Sequence, residues 1–300
     1  MKIDFKVKRA EDCALIDTKK WVDNASTGIT LHRLSGRDIP TGITELKSVY
    51  PVKEGLKNII KEGDLVLISK VAADISQYRK FAVERGDERY FHVPIMQVYG
   101  IFKNHNINYD SFQLVTDKVL LKRLEPKYSG ILKAEDNTMI GEVVKIGTNK
   151  FDENWNSKPL TVKVGDRVIV RDNVSTEIYL DGERYYVVEE PTIIGIFKDE
   201  DRFELESLRI FNNSILLEPY IPKNICDSII ITPNMNYEDA DYTELYNRDL
   251  FKVAAVDQEL DKIHRNDILL IDRNFTNYVY LGTKKYFTIS GLNFVSAKIN

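Results

Sequence analysis

Apolar and polar residues alternate with a period of two along much of this chain, the mark of strands with one covered face and one open face. The clearest stretch is Val164–Lys198, where Val162 and Val164 precede a Gly165-Asp166 turn and Val168 and Val170 follow it. Further on, Asp181-Gly182 supplies the residues of a tight hairpin, because glycine takes positive φ freely and aspartate tolerates it. The stretch recurs in altered form on both sides. Its first version is KEGDLVLISK at Lys61–Lys70, then GDERYFHV at Gly86–Val93 and GIFK at Gly100–Lys103; its last is HRNDILLIDRN at His264–Asn274, then VYLGTKKYFTI at Val279–Ile289. Asp166 and Asp267 stand 101 residues apart, as do Gly182 and Thr283. The spacing from the first copy is 102 at Asp64 but 95 at Gly100, which places extra residues of that copy near Gln77–Val83.

A repeat of this length predicts three β-rich domains of residues 25–105, 106–199 and 200–300 behind an N-terminal arm of residues 1–24. Within the arm, Ile3, Phe5 and Val7 alternate with charged residues, so it should complete its own sheet or add a strand to a neighbouring subunit. A short helix is expected around Asp17–Val22. Strands are expected at Gly28–Leu34, Gly141–Gly147 and Leu250–Val256, and within Asp117–Pro126 and Asn213–Pro222. Pro191 suits an exposed or terminal strand position. Trp155 lies in a polar excursion, Thr148–Pro159, and reads as an interface anchor, whereas Tyr186 reads as core.

Composition narrows the function classes. The 300 residues are 43% hydrophobic and 10% aromatic, enough for packed cores, and the formal charge of -4 argues against a phosphate-tracking surface and so against nucleic acid. The two cysteines, Cys13 and Cys226, lie far apart, which suits a reducing compartment. No run approaches the ~18 apolar residues of a membrane-crossing helix, so no membrane partner is expected. His32, His92, His105 and His264 are scattered without metal-ligand or triad spacing, and neither glycine-rich phosphate motif occurs. The acids at Glu238, Asp239, Asp241 and Glu244 lack the glycine and spacing of a calcium loop. The adjacent pair Glu189-Glu190 points to opposite faces of a strand, a poor acid and base pair. No enzyme, cofactor or metal is expected.

The order VLLKRLEP, SGILK, IGEVVKIG, VKVGDRVIVRD, YLDGERYYVVEEPTIIGIF across Asp117–Lys198 resembles the chaperonin-10 family, the GroES-type co-chaperonins. The resemblance implies an all-β chain of three tandem small GroES-like β-barrels, and assembly into a homo-oligomeric ring. It also implies docking on a chaperonin through an apolar tripeptide in a loop. Gly130, Ile131 and Leu132 match that element in the middle repeat, with Lys133 in place of the third apolar residue. Ile229, Ile230 and Ile231 match it better in the last repeat, although a β-branched triplet reads more readily as a buried strand. The first repeat, with IPTGITEL at Ile39–Leu46, leaves almost no room for such a loop. Partner-binding candidates are therefore Ile131, Leu132, Ile229, Ile230, Ile231 and Trp155.

Fused repeats with altered docking elements lead to a first expectation of a non-enzymatic structural protein, a ring, collar or adaptor of a bacteriophage particle. It would contact neighbouring assembly proteins in the host cytoplasm and then in the virion. The alternative is a cytoplasmic co-chaperonin capping a chaperonin ring.

Overall fold

The computed structural model describes residues 13–17, 22–23, 42–50, 59–68, 83–85, 88–124, 138–151, 156–171, 175–199, 203–220, 250–271, 276–282 and 284–299. They are all-β, with short 3-10 turns and no α-helix among the described residues. Eight strands form the first sheet: β1 (Cys13–Asp17), β2 (Val22–Asp23), β3 (Gly42–Tyr50), β4 (Leu65–Ile68), β5 (Val83–Arg85), β6 (Glu88–Pro94), β7 (Val98–Phe102) and β8 (Phe112–Leu114). The middle sheet uses β9 (Lys118–Arg123), β10 (Met139–Ile146), β13 (Arg167–Val170), β14 (Thr176–Leu180), β15 (Glu183–Glu189), β16 (Ile193–Phe197) and β17 (Leu208–Ile210). Between β10 and β13, β11 (Lys150–Phe151) and β12 (Ser157–Lys158) make a two-stranded ribbon. The third sheet holds β18 (Ser214–Pro219), β19 (Leu250–Val256), β20 (Ile268–Ile271), β21 (Asn277–Leu281), β22 (Lys284–Ser290) and β23 (Val295–Ile299).

The three sheets share one strand order. It runs β5-β6-β1-β3-β4-β7-β8 in the first, β14-β15-β9-β10-β13-β16-β17 in the middle and β21-β22-β18-β19-β20-β23 in the third. Each also has a register shift at the same place, at Leu67/Ile68, Ile169/Val170 and Leu270/Ile271. A bulge of this kind bends a strand and sharpens its twist. The repeated Gly-Asp turn explains itself here. Gly63 and Gly165 have φ of 87° and 93°, and Asn266 takes 76° in the third copy. The aspartate that comes next accepts a backbone N–H, Lys61 N to Asp64 at 2.7 Å and His264 N to Asp267 at 2.7 Å.

Some expectations shift. β1 pairs with β3 and β6 as β9 pairs with β10 and β15, so part of the expected arm belongs to the first sheet. The expected helix at Asp17–Val22 does not form across its ends, since Asp17 closes β1 and Val22 opens β2. The strand expected at Gly28–Leu34 lies outside the described residues.

The chain divides into two compact units. Met1–Arg123, Val143–Gly165 and Ser175–Glu190 make one; Leu124–Glu142, Asp166–Val174 and Pro191–Asn300 make the other. The middle sheet contributes β9, β14 and β15 to the first unit and β13, β16 and β17 to the second. In the first unit, Tyr99, Phe102 and Phe112 share a buried cluster with Leu120, Ile178, Leu180, Tyr185 and Val187. In the second, Ile169, Ile194 and Leu208 share one with Leu216, Val279, Leu281 and Tyr286. Each core thus joins one edge of a sheet to a face of the next. Burying a side chain such as Leu or Ile is worth about 1.5–3 kcal/mol, so these joints contribute heavily to the stability of each unit.

Candidate functional site

The described strands fix the roots of the candidate docking segments. Residues 125–137, which contain Ile131 and Leu132, leave β9 and return at β10, and the root is closed by Leu124 N donating to Ile140 O at 2.9 Å. Residues 221–249, with Ile229, Ile230 and Ile231, leave β18 and return at β19, closed by Tyr220 N donating to Leu250 O at 3.0 Å. In the first sheet the corresponding connection, β1 to β3, spans residues 18–41 and includes β2. The expectation that this repeat has almost no room there came from starting it at Gly28, and β1 moves that start upstream. All five aliphatic docking candidates, and Trp155 between β11 and β12, lie outside the described residues.

Beside the two roots the sheets carry one ion pair in opposite senses. Lys122 Nζ meets Glu183 at 2.7 Å in the middle sheet; Glu218 and Lys284 meet at 2.7 Å in the third. Position for position, β9 has the cation where β18 has the anion, and the partner strand answers. The Lys122 contact, and then the Tyr185 hydroxyl, hold the Glu183 carboxyl below its ordinary range. Glu218 accepting from Lys284 raises the Lys284 ammonium despite an opposing pull from burial. These pairs are largely exposed, so they set local charge more than stability.

A second group fastens the polar excursion. Glu190, fully buried, accepts from Lys150 Nζ at 2.6 Å, from Val162 N at 3.2 Å and from Thr161 N. Its neighbour Glu189 is partly exposed and faces Lys118 at 3.4 Å. The two acids face differently, but not as neighbours on one strand: Glu189 closes β15 and Glu190 opens the 3-10 turn after it, and each is engaged in holding the fold. Sequence reading did not pick out Glu190 as an anchor, because its partners are distant along the chain. Pro191 is exposed in the 3-10 turn after β15 and Tyr186 is buried, both as expected.

In the first unit, Lys145 Nζ donates to Phe112 O at 3.0 Å and to Tyr109 O, and lies 4.0 Å from the Tyr109 ring centroid. Burial lowers the Lys145 ammonium, and burial followed by Asp110 raises the Tyr109 hydroxyl. Asp181, in the β14–β15 hairpin, accepts from Tyr109 N at 2.9 Å. This arrangement clamps the segment that leads into β8. Among the described residues, no group of three or more His, Cys, Asp and Glu is placed to hold a metal, and no helix is long and apolar enough to cross a membrane.

Comparison with known proteins picks out the middle sheet. Residues 111–197 match the family model of the chaperonin 10 kDa subunit. The co-chaperonin GroES of Hydrogenobaculum sp. (strain Y04AAS1) is 36% identical over 91 residues, 28% of this chain and 95% of the relative. That of Aquifex aeolicus is 33% identical over 90 residues, 28% of this chain and 74% of the relative. That of Methylobacillus flagellatus is 38% identical over 86 residues, 27% of this chain and 90% of the relative.

Proposed function

This chain belongs to the chaperonin-10 family through its middle sheet, and on that premise we propose that it is a non-enzymatic co-chaperonin that contacts a chaperonin in the cytoplasm. The observation that carries the reading is the match to a whole GroES: nearly the full length of the Hydrogenobaculum relative aligns to one continuous part of this chain. The first and third sheets have the strand order of the matched one, which supports reading all three as tandem GroES-like barrels. Docking falls to the segments rooted at Leu124 and Tyr220, through Ile131 and Leu132 and through Ile229, Ile230 and Ile231. A single such segment buries few side chains and binds weakly, so segments carried on one chain gain from high effective concentration. The relatives favour this reading over a component of a phage particle.

The test is capture of the full chain on an immobilised bacterial chaperonin with ATP, with ADP and without nucleotide. Nucleotide-dependent capture that Ile230→Asp and Leu132→Asp weaken is expected. Absence of capture in every nucleotide state would refute the reading.

A further inference from the structure

We propose that Arg171, together with the Ser214 hydroxyl, binds a small oxyanion such as phosphate or sulfate at the joint inside the second unit. The site lies apart from the docking segments and stands whether or not the chain serves a chaperonin.

Two sheets build the same corner. Lys118 opens β9 and Ser214 opens β18; Lys118 N donates to Val115 O at 3.2 Å, and Ser214 N to Phe211 O at 3.2 Å. On the neighbouring strand Lys118 faces Glu189, and Ser214 faces Ser290. One residue further, Glu190 N donates to Asp117 O at 2.8 Å, and Gly291 N to Asn213 O at 2.7 Å. Lys118, Asp117 and Glu189 therefore correspond to Ser214, Asn213 and Ser290. In the middle sheet this corner is a closed set of charges, with the Lys118 side chain fully buried against Asp117 at 2.6 Å and Glu189 at 3.4 Å. In the third sheet both carboxylates are replaced by neutral residues. A cation is still present, but it comes from the other side of the joint: Arg171, just after β13, places Nη2 3.4 Å from Ser214 Oγ.

That cation is under-partnered. Arg171 Nε is buried with no acceptor among the described residues, and 3.4 Å at Nη2 is long for a hydrogen bond. Burial lowers the guanidinium, and no neighbouring carboxylate offsets it. A buried charge is ordinarily paired, because burial alone is costly. Asp257 is close, its N donating to Ser214 O at 3.1 Å, but its carboxylate is taken by backbone, accepting Asn213 N at 2.7 Å and Glu259 N at 3.1 Å.

The donors present fit an oxyanion. Nε and Nη2 lie along one edge of the guanidinium, and that fork matches two oxygens of a phosphate or sulfate. The Ser214 hydroxyl, which accepts from Nη2, can rotate to donate to the same ion. Thr288 is a second sign of unmet polarity on this face. It stands opposite Leu216, one position along from the Ser214–Ser290 pair on the same side of the sheet, and its buried Oγ1 has no partner among the described residues. Arg171 and Ser290 each keep partial exposure, so a small ion reaches the corner from solvent. The bound ion supplies the negative charge that Asp117 and Glu189 supply in the middle sheet.

Hydrogen exchange on the full chain tests the proposal, with inorganic phosphate titrated from submillimolar to tens of millimolar against sodium chloride at constant ionic strength. The Arg171 and Gly291 amides, bonded to Thr192 O and Asn213 O at this corner, should gain protection saturably. The gain should be about tenfold once phosphate stands about tenfold above its dissociation constant. The Glu190 amide, in the corner with built-in carboxylates, should not respond. Sulfate should replace phosphate, and chloride should not. Arg171→Gln should abolish the gain. If its circular dichroism spectrum departs from wild type, Arg171→Lys takes its place; it keeps the charge without the paired donors and should lose most of the gain. A variant that responds as wild type does, or a response that chloride matches, would mean an adventitious ion only and overturn the proposal. So would a wild-type chain that gains no protection at any phosphate concentration.

Discussion

Replacing Gly195 by alanine should destabilise the second unit, although alanine is ordinarily the better residue in a strand. The added Cβ would sit 2.7 Å from Arg209 O and 2.9 Å from Leu208 Cδ1. The leucine tip can turn away, but the carbonyl is backbone and retreats only if β17 moves outward. Forcing a methyl group into packed structure costs about 1–3 kcal/mol. Gly→Ala recovers about 0.4–1 kcal/mol by restricting the unfolded chain. The net loss is about 1–2 kcal/mol, a shift of roughly 5–30-fold in the folded-to-unfolded ratio. Gly100→Ala should behave alike, because Gln113 O blocks it at 2.8 Å. Ala297→Gly is the control: at an exposed edge it costs about 0.5–1 kcal/mol from backbone entropy alone. Urea unfolding followed by circular dichroism measures the loss, and hydrogen exchange locates it, with Leu208–Ile210 expected to lose protection first. If Gly195→Ala matched wild type in stability and in exchange along β17, the close approach of that strand would be wrong.

Glu190→Ala should cost about 3 kcal/mol, because it leaves Val162 N buried without its acceptor and strips Lys150 of its carboxylate; Glu190→Gln should recover part of that. A urea midpoint for Glu190→Ala within error of wild type would contradict the anchor. For Asp267, burial pushes the carboxyl up, but Lys298 and the His264 backbone N–H together draw it below its ordinary range. A depressed acid stabilises the fold above its unfolded pKa, and that contribution fades as pH falls through the folded one. Wild type should therefore exceed Asp267→Asn by at most about 1 kcal/mol at neutral pH, the pair being partly exposed, and the gap should close in acid below the ordinary aspartate range. Thermal melts across pH check this; a gap that widens in acid would reverse the sign.

The strands with a full period were legible, and those without one were not. Leu250–Val256 forms β19 end for end, and Asp117–Pro126 and Asn213–Pro222 each contain the expected strand. The Asp181-Gly182 turn takes positive φ at both residues, as its composition requires. β1 escaped because CALID mixes apolar residues with no clean alternation, leaving Cys13–Asp17 inside the expected arm. β8 and β17 escaped for a different reason. At three residues each, a strand has no period to read, and what makes Phe112–Leu114 and Leu208–Ile210 strands is the edge each pairs with. The aliphatic docking candidates rest on family resemblance alone, since nothing in an Ile-Ile-Ile run separates a buried strand from a presented one.

The repeat was most informative where it failed. GIFK occurs at Gly100–Lys103 and again at Gly195–Lys198, yet the corresponding end of the third copy reads VSAKI. As a mark of common descent the third copy merely looks worn. Placed in register, Leu270 faces Ala297 as Leu67 faces Gly100 and Ile169 faces Gly195, so the pairing along the inner side of the strand is kept while the glycine is not. Gly100 and Gly195 are accordingly residues of a joint as much as of a strand, because each lies where a neighbouring carbonyl, Gln113 O or Arg209 O, comes too close for a side chain.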